Sequence, residues 1–281
     1  MLRTFLQHHT APTRRALPLS TAIVQILILS AILISGATRA EDIHVAAASN
    51  FTATMKDLTR SFEQETGHQV ILSFGSSGKF YAQISHGAPF QAFFSADQAK
   101  PIALEKAGLA IPGSRITYAE GSLALWSAKP DFANQGEKTL VQRDFRKLAL
   151  ANPRLAPYGQ AAMEVLKNLD QVDATRNKWV QGENISQTYQ FIDSGNAEMG
   201  FVAAPQILKR GKITKGSAWI IPHELYNPIR QDAVILEKGK NSPATHELME
   251  FMRSSRARKI IESYGYAAGA PDQSPKTTIK E

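Results

Sequence analysis

The chain has 281 residues, of which 43% are hydrophobic and 20% charged, and it contains no cysteine. Its formal charge is +7, but Arg3, Arg14, Arg15 and Arg39 all fall in the first forty residues, which hold no acid, so removing those four leaves +3 for the rest. A balance that small gives no ground for nucleic-acid binding, and without cysteine the chain has neither disulfides nor thiolate metal sites, so packing alone must hold it.

The first segment has the order of a secretory signal. Met1 to Ser20 is basic and polar, Thr21 to Gly36 is almost wholly apolar, and Thr38-Arg39-Ala40 follows. This order predicts a signal peptide over 1–40, cleavage after Ala40 and a periplasmic mature protein. The apolar run of about sixteen residues falls short of the roughly twenty that span a bilayer.

From Glu41 onward short apolar strands alternate with amphipathic helices, the pattern of an α/β architecture. Ile43 to Ala48 reads as a strand ending in Ser49-Asn50, after which Phe51, Met55, Leu58 and Phe62 recur at helical spacing. Val70 to Phe74 is a second strand, ending in Gly75-Ser76-Ser77-Gly78 before another helix. Ala92 to Asp97 is a third with a polar end; Pro101 suits the first turn of the helix that follows, and Gly108 closes it. Ile116 to Trp126 is too long and too interrupted by glycine for one ordinary strand, and predicts a passage between lobes. Leu148 to Ala151, the turn Asn152 to Gly159 and a helix through Leu169 repeat the strand–turn–helix unit. Gly182 to Ser186 leads to a helix from Gln187 to Ser194, and Gly200 to Ala203 is the next strand. Trp219 to Pro222 and Ile229 to Leu236 form a second extended passage that returns to the first lobe, and Leu248, Phe251, Met252, Ile260 and Ile261 stripe a terminal helix. The predicted organisation is lobe 1 over 41–121 and 229–268, lobe 2 over 122–228, and a flexible tail over 269–281.

No phosphate loop, dinucleotide glycine fingerprint, His-Glu-x-x-His or Gly-x-Ser-x-Gly elbow occurs. The seven histidines are scattered, two of them in the leader, and none is spaced for a metal. The sequence therefore predicts a protein that is not an enzyme. What it carries instead is a set of neutral donors. Ser49, Asn50, Ser76 and Ser77 open helices at the carboxyl ends of strands, where ligands bind in open α/β sheets. Ser and Asn are also the commonest N-caps, so one such turn says little. Several of them in a two-lobed chain predict a cleft ringed by helix N-termini, whose unpaired N–H groups and partial positive charge suit an anion. A donor-only cage favours a fully deprotonated oxyanion, because a protonated phosphate would bury a hydrogen without an acceptor at a cost of about 1–3 kcal/mol. Lys79 is the nearest cation in sequence and Asp97 the nearest carboxylate.

At these residues the chain resembles the periplasmic molybdate-binding proteins, receptors of molybdate ABC transporters. The resemblance rests on an ordered set: Ala46-Ala47-Ala48-Ser49, Phe74-Gly75-Ser76-Ser77-Gly78, Gly87-Ala88-Pro89 before Phe94-Ser95-Ala96-Asp97, Asn152-Pro153 with Ala156-Pro157-Tyr158-Gly159, Gly200-Phe201-Val202, and Tyr264-Gly265-Tyr266. It implies a bilobed class II periplasmic-binding-protein fold, two mixed-sheet α/β lobes joined by two crossing strands and closing on the oxyanion. It implies molybdate, and tungstate, as ligand, no cofactor, a membrane permease of an ABC transporter as partner, and a monomer. The same fold binding sulfate or another small oxyanion is the alternative. Carried over by position, Ser49 and Ser77 contact the ligand through hydroxyl and backbone N–H, and Tyr158 and Ile185 chiefly through backbone N–H. Many members place a tyrosine after the strand that ends here in Val202, where this chain has Ala203. A branch with Thr-Asn or Ser-Asn at the first turn lacks that tyrosine and uses the asparagine, so Asn50 is expected to supply the missing donor.

Overall fold

The computed structural model describes residues 40–269 except 143 and 210. The expected signal peptide and tail lie outside the described residues, apart from their boundary positions Ala40 and Gly269.

The chain opens with β1 (Asp42–Ala48), a single 3₁₀ turn (Ser49–Phe51) and α1 (Thr52–Thr66). β2 (Gln69–Gly75), α2 (Ser77–Ser85), β3 (Ala92–Phe94), α3 (Ala99–Lys106) and β4 (Ile116–Gly121) follow. Next come β5 (Leu123–Ser127), α4 (Glu137–Gln142), β6 (Leu148–Ala151), α5 (Pro157–Asn168), α6 (Val172–Thr175), β7 (Trp179–Gly182), α7 (Ile185–Asp193) and β8 (Met199–Ala203). A small hairpin of β9 (Leu208–Lys209) and β10 (Lys212–Ile213) precedes β11 (Ser217–Ile220). The chain finishes with β12 (Ile229–Ile235), α8 (Pro243–Arg253), α9 (Ser255–Ser263) and β13 (Ala267–Ala268).

These strands form two mixed sheets. One has the order β13-β4-β12-β3-β1-β2, the other β11-β5-β8-β6-β7. β1 is parallel to β2 and β3, and β6 to β7 and β8, while β12 runs antiparallel to β3 and β4, and β5 to β8 and β11. The fold is bilobed, one sheet to a lobe. The long passage divides at Ser122, with β4 in the first sheet and β5 in the second; the way back runs from β11 to β12. Two extended segments therefore cross between lobes.

Each sheet is covered on both faces, which is why its central strands read as continuous apolar runs. In the first, Ile43, Val45 and Ala47 pack with the α1 stripe and with Leu248, Met252 and Ile261, while Ala46 faces the other way against Phe80, Phe93 and Leu104. Phe51, Met55, Leu58 and Phe62 are all fully buried, as their spacing predicts. In the second, Leu125, Leu150 and Phe201 meet Ala162, Val165 and Leu166 of α5, and Trp126, Ala149 and Val202 meet Ile192 of α7 on the far side.

Three boundaries differ from expectation for local reasons. The third strand stops at Phe94, because the Ser95 hydroxyl accepts from the Asp97 N–H at 3.3 Å and closes a turn. α7 begins at Ile185 rather than Gln187, because the Asn184 side chain caps it. The terminal helix is two helices, broken where Ser254 caps the second.

Candidate functional site

The turn Ser49–Phe51 and the N-termini of α2, α5 and α7 converge on one cavity of about 10 Å³ between the two sheets. By volume it has room for about one water molecule. Ser49, Asn50, Ser77, Tyr158 and Ile185, the five residues expected at the site, all line it. None of its twelve lining residues is charged. Lys79 instead pairs with Glu183 at 3.1 Å, and Asp97 binds Lys100 and lines a neighbouring groove.

A helix begins with N–H groups that have no intrahelical partner. Here the capping residues engage most of them and leave selected ones over. In α2, Ser76 Oγ accepts from the Lys79 N–H at 3.4 Å and the Gly78 N–H donates to Leu155 O at 2.8 Å, so the Ser77 N–H remains. In α7, Asn184 Oδ1 accepts from Ser186 and Gln187 N–H, both at 3.0 Å, so the Ile185 N–H remains. In α5, Pro157 has no N–H and Gly159 donates to Ala156 O at 2.9 Å, so Tyr158 supplies the remaining one. Among the described residues none of these three N–H groups has a protein partner. Partial positive charge at such ends stabilises a nearby anion without any formal cation.

The side chains divide differently. Ser77 is buried and its Oγ accepts from the Ala96 N–H at 2.9 Å, which leaves the hydroxyl proton to be donated. Ser49 O accepts from Ser186 Oγ across the cleft at 2.9 Å, and its own hydroxyl bonds to none of the described residues. The Asn50 amide is already engaged: Nδ2 donates to Gln231 Oε1 at 2.8 Å and to the Tyr266 hydroxyl at 3.1 Å, while that hydroxyl donates to Asn50 O at 2.8 Å. The amide expected to replace the donor missing at Ala203 thus has both N–H groups spent on protein. Ala203 itself is buried, its N–H held by Gln206 Oε1 at 3.0 Å, and Gln206 Nε2 reaches Ile185 O at 3.4 Å.

Tyr158 has two roles in one residue. Its backbone opens α5 at the cavity, while its buried hydroxyl accepts from Gln231 Nε2 at 3.3 Å. Burial first, and then the neighbouring tyrosines 266 and 118, push its pKa well above the usual phenol value, so it stays neutral. Tyr118 and Tyr266 are raised for the same first cause. Asn184, Gln206 and Gln231 were not singled out from the sequence, and Tyr266 entered only within the Tyr264-Gly265-Tyr266 motif. Of these only Asn184 carries a local signal, a cap residue directly before an apolar helical stripe. Among the described residues no group of three or more His, Cys, Asp or Glu is placed to hold a metal.

The bacterial extracellular solute-binding protein family matches residues 43–267. The chain is 49% identical over 241 residues to the molybdate-binding protein ModA of Azotobacter vinelandii, a match covering 86% of this chain and 96% of that one. It is 43% identical to the molybdate-binding protein ModA of Rhodobacter capsulatus, over 81% of this chain and 88% of the other. Among solved structures it is similar to the Azotobacter vinelandii periplasmic molybdate-binding protein, with a TM-score of 0.78 and 41% identity over 82% of this chain and 100% of that one.

Proposed function

The chain belongs to the bacterial extracellular solute-binding protein family, and from that premise we propose that it is a non-enzymatic receptor for molybdate. It takes tungstate as well, works in the periplasm as a monomer after removal of residues 1–40, and delivers the anion to the membrane permease of an ABC transporter. It needs no cofactor and no nucleic acid. Its lobes run over 41–121 with 229–268, and over 122–228.

The observation that carries this reading is the uncharged cavity walled by helix N-termini from both lobes, in a chain 49% identical to a molybdate-binding protein. Ser49 and Ser77 donate through hydroxyl and backbone N–H, and Tyr158 and Ile185 through backbone N–H. Asn50 contributes through the turn it closes rather than through a free amide. Six hydrogen bonds to a charged partner, at about 1.5–3 kcal/mol each, give about 9–18 kcal/mol gross. Desolvating a dianion and closing two lobes subtract from that, which is compatible with a net of about −8 to −12 kcal/mol, micromolar to nanomolar.

Isothermal titration of the mature protein with molybdate, tungstate, sulfate and phosphate tests the reading. Tight binding of the first two and weak binding of the others is expected. Tight sulfate binding with no heat from molybdate would reassign the ligand.

A further inference from the structure

Gln231 lies on β12 beside an irregularity in its ladder with β4, where the register passes from Gln231–Ala119 to Asp232–Thr117 and skips Tyr118. Bulges of this kind re-aim side chains. Gln231 is fully buried, far from any use as a surface residue. Its Oε1 accepts from Asn50 Nδ2 at 2.8 Å and lies 3.1 Å from the Tyr118 hydroxyl, which shares its one proton with Ser95 O at 3.0 Å, and its Nε2 donates to the Tyr158 hydroxyl at 3.3 Å. One side chain thus ties the first turn, through Asn50, to the first residues of α5, through Tyr158, and these follow β1 and β6, strands of different sheets.

A second observation shows that the space is reserved for this contact. A Cβ on Gly121, the last residue before the crossing, would lie 2.0 Å from the Tyr158 hydroxyl and 2.7 Å from Gln231 Nε2. No side chain larger than hydrogen fits there while that bond exists. The Tyr158 side chain therefore matters for a reason separate from its backbone N–H.

We propose that Gln231 is a positioning residue for anion binding, holding the Asn50 turn and the Tyr158 helix end in one fixed spacing by hydrogen bonds that span the two lobes. It touches no ligand; it sets how far apart the two halves of the donor set stand when the cleft is shut. The proposal rests on the molybdate reading above.

Its test is a double-mutant cycle in the full mature protein. Tyr158→Phe removes the acceptor of the Gln231 amide and keeps the backbone N–H at 158; Gln231→Leu removes the whole tie. Molybdate Kd and dissociation rate are measured for both single variants, the double variant and the parent, together with melting without ligand. The expected results are about five- to tenfold weaker binding for Tyr158→Phe, carried by faster dissociation, and a larger loss for Gln231→Leu. The double variant should be no worse than Gln231→Leu, a departure from multiplicativity of about fivefold or more. Multiplicative losses in Kd, or lower melting temperatures with unchanged dissociation, overturn the proposal and reduce the network to ordinary core bonding. If Gln231→Leu does not fold, Tyr158→Phe still decides: parental dissociation in that variant overturns the inference alone. A parent that ignores molybdate overturns the functional reading, and this inference with it.

Discussion

The buried hydroxyl of Ser77 has its acceptor side occupied by the Ala96 N–H, which makes it a donor with one remaining direction to serve. Replacing Ser77 with Ala should weaken molybdate binding about 10- to 100-fold, the value of a hydrogen bond to a charged partner at about 1.5–3 kcal/mol. Titration calorimetry reads this directly, and a Kd within about twofold of the parent's would remove the Ser77 hydroxyl, though not its backbone N–H, from the ligand set. Gly121→Ala tests packing at the same scale. Its methyl would overlap the Tyr158 hydroxyl, and overpacking of this kind costs about 1–3 kcal/mol, measurable by urea unfolding. The polar turns that bear Ser49, Ser77 and Tyr158 were legible from sequence because each follows an apolar strand. The fate of the Asn50 amide was not, since its partners Gln231 and Tyr266 lie 181 and 216 positions away and no local pattern signals them.

The helix N-terminus is the unit from which the site is made, and each one has its own way of leaving a single N–H over. Asn184 shows this best. Its side chain takes two N–H groups and so directs the third, that of Ile185, elsewhere. Asn184→Ala should destabilise the fold by about 1 kcal/mol, a typical N-cap loss visible in thermal melts, and should weaken the anion as the first turn of α7 loosens. Besides the Lys79–Glu183 pair, α2 meets the opposite lobe backbone to backbone. A Cβ on Gly78 would stand 2.9 Å from Leu155 Cα and O, where the Gly78 N–H now donates. Gly78→Ala should therefore weaken binding by more than its effect on the melting temperature accounts for; equal losses in both would tie Gly78 to stability alone. Hydrophobic periodicity located the helices and strands that build the two sheets. It missed the start of α7, because a cap lies outside the apolar stripe, and the break at Ser254, because the stripe continues across it.

Taken as a whole, the proposed site would hold a dianion without presenting it a formal charge. Among the described residues the only titratable side chain in the cavity lining is Tyr158, which burial keeps neutral, so affinity should stay flat between about pH 6 and 9. Stability has a different pH dependence. Tyr118, Tyr158 and Tyr266 are buried with raised pKa values, and Tyr264 is pushed up to about 12. Above about pH 10 the unfolded chain loses these protons while the folded one keeps them. The folded state then binds more protons, stability falls with rising pH, and melting temperatures should drop between pH 10 and about 12. The lobes also meet through the exposed Lys79–Glu183 pair, which salt screens and which is worth about 0–1 kcal/mol at most. The two crossings matter more to how the molecule moves. Gly121 at the end of the outgoing strand and Ile229 at the start of the returning one are register partners in adjacent strands. Two ties lying side by side act as the pin of a door: they permit swing about one line and resist sliding or twist, which would tear the ladder. A swing of that kind is one angle, so a single pair of spectroscopic labels, one per leaf, should follow it.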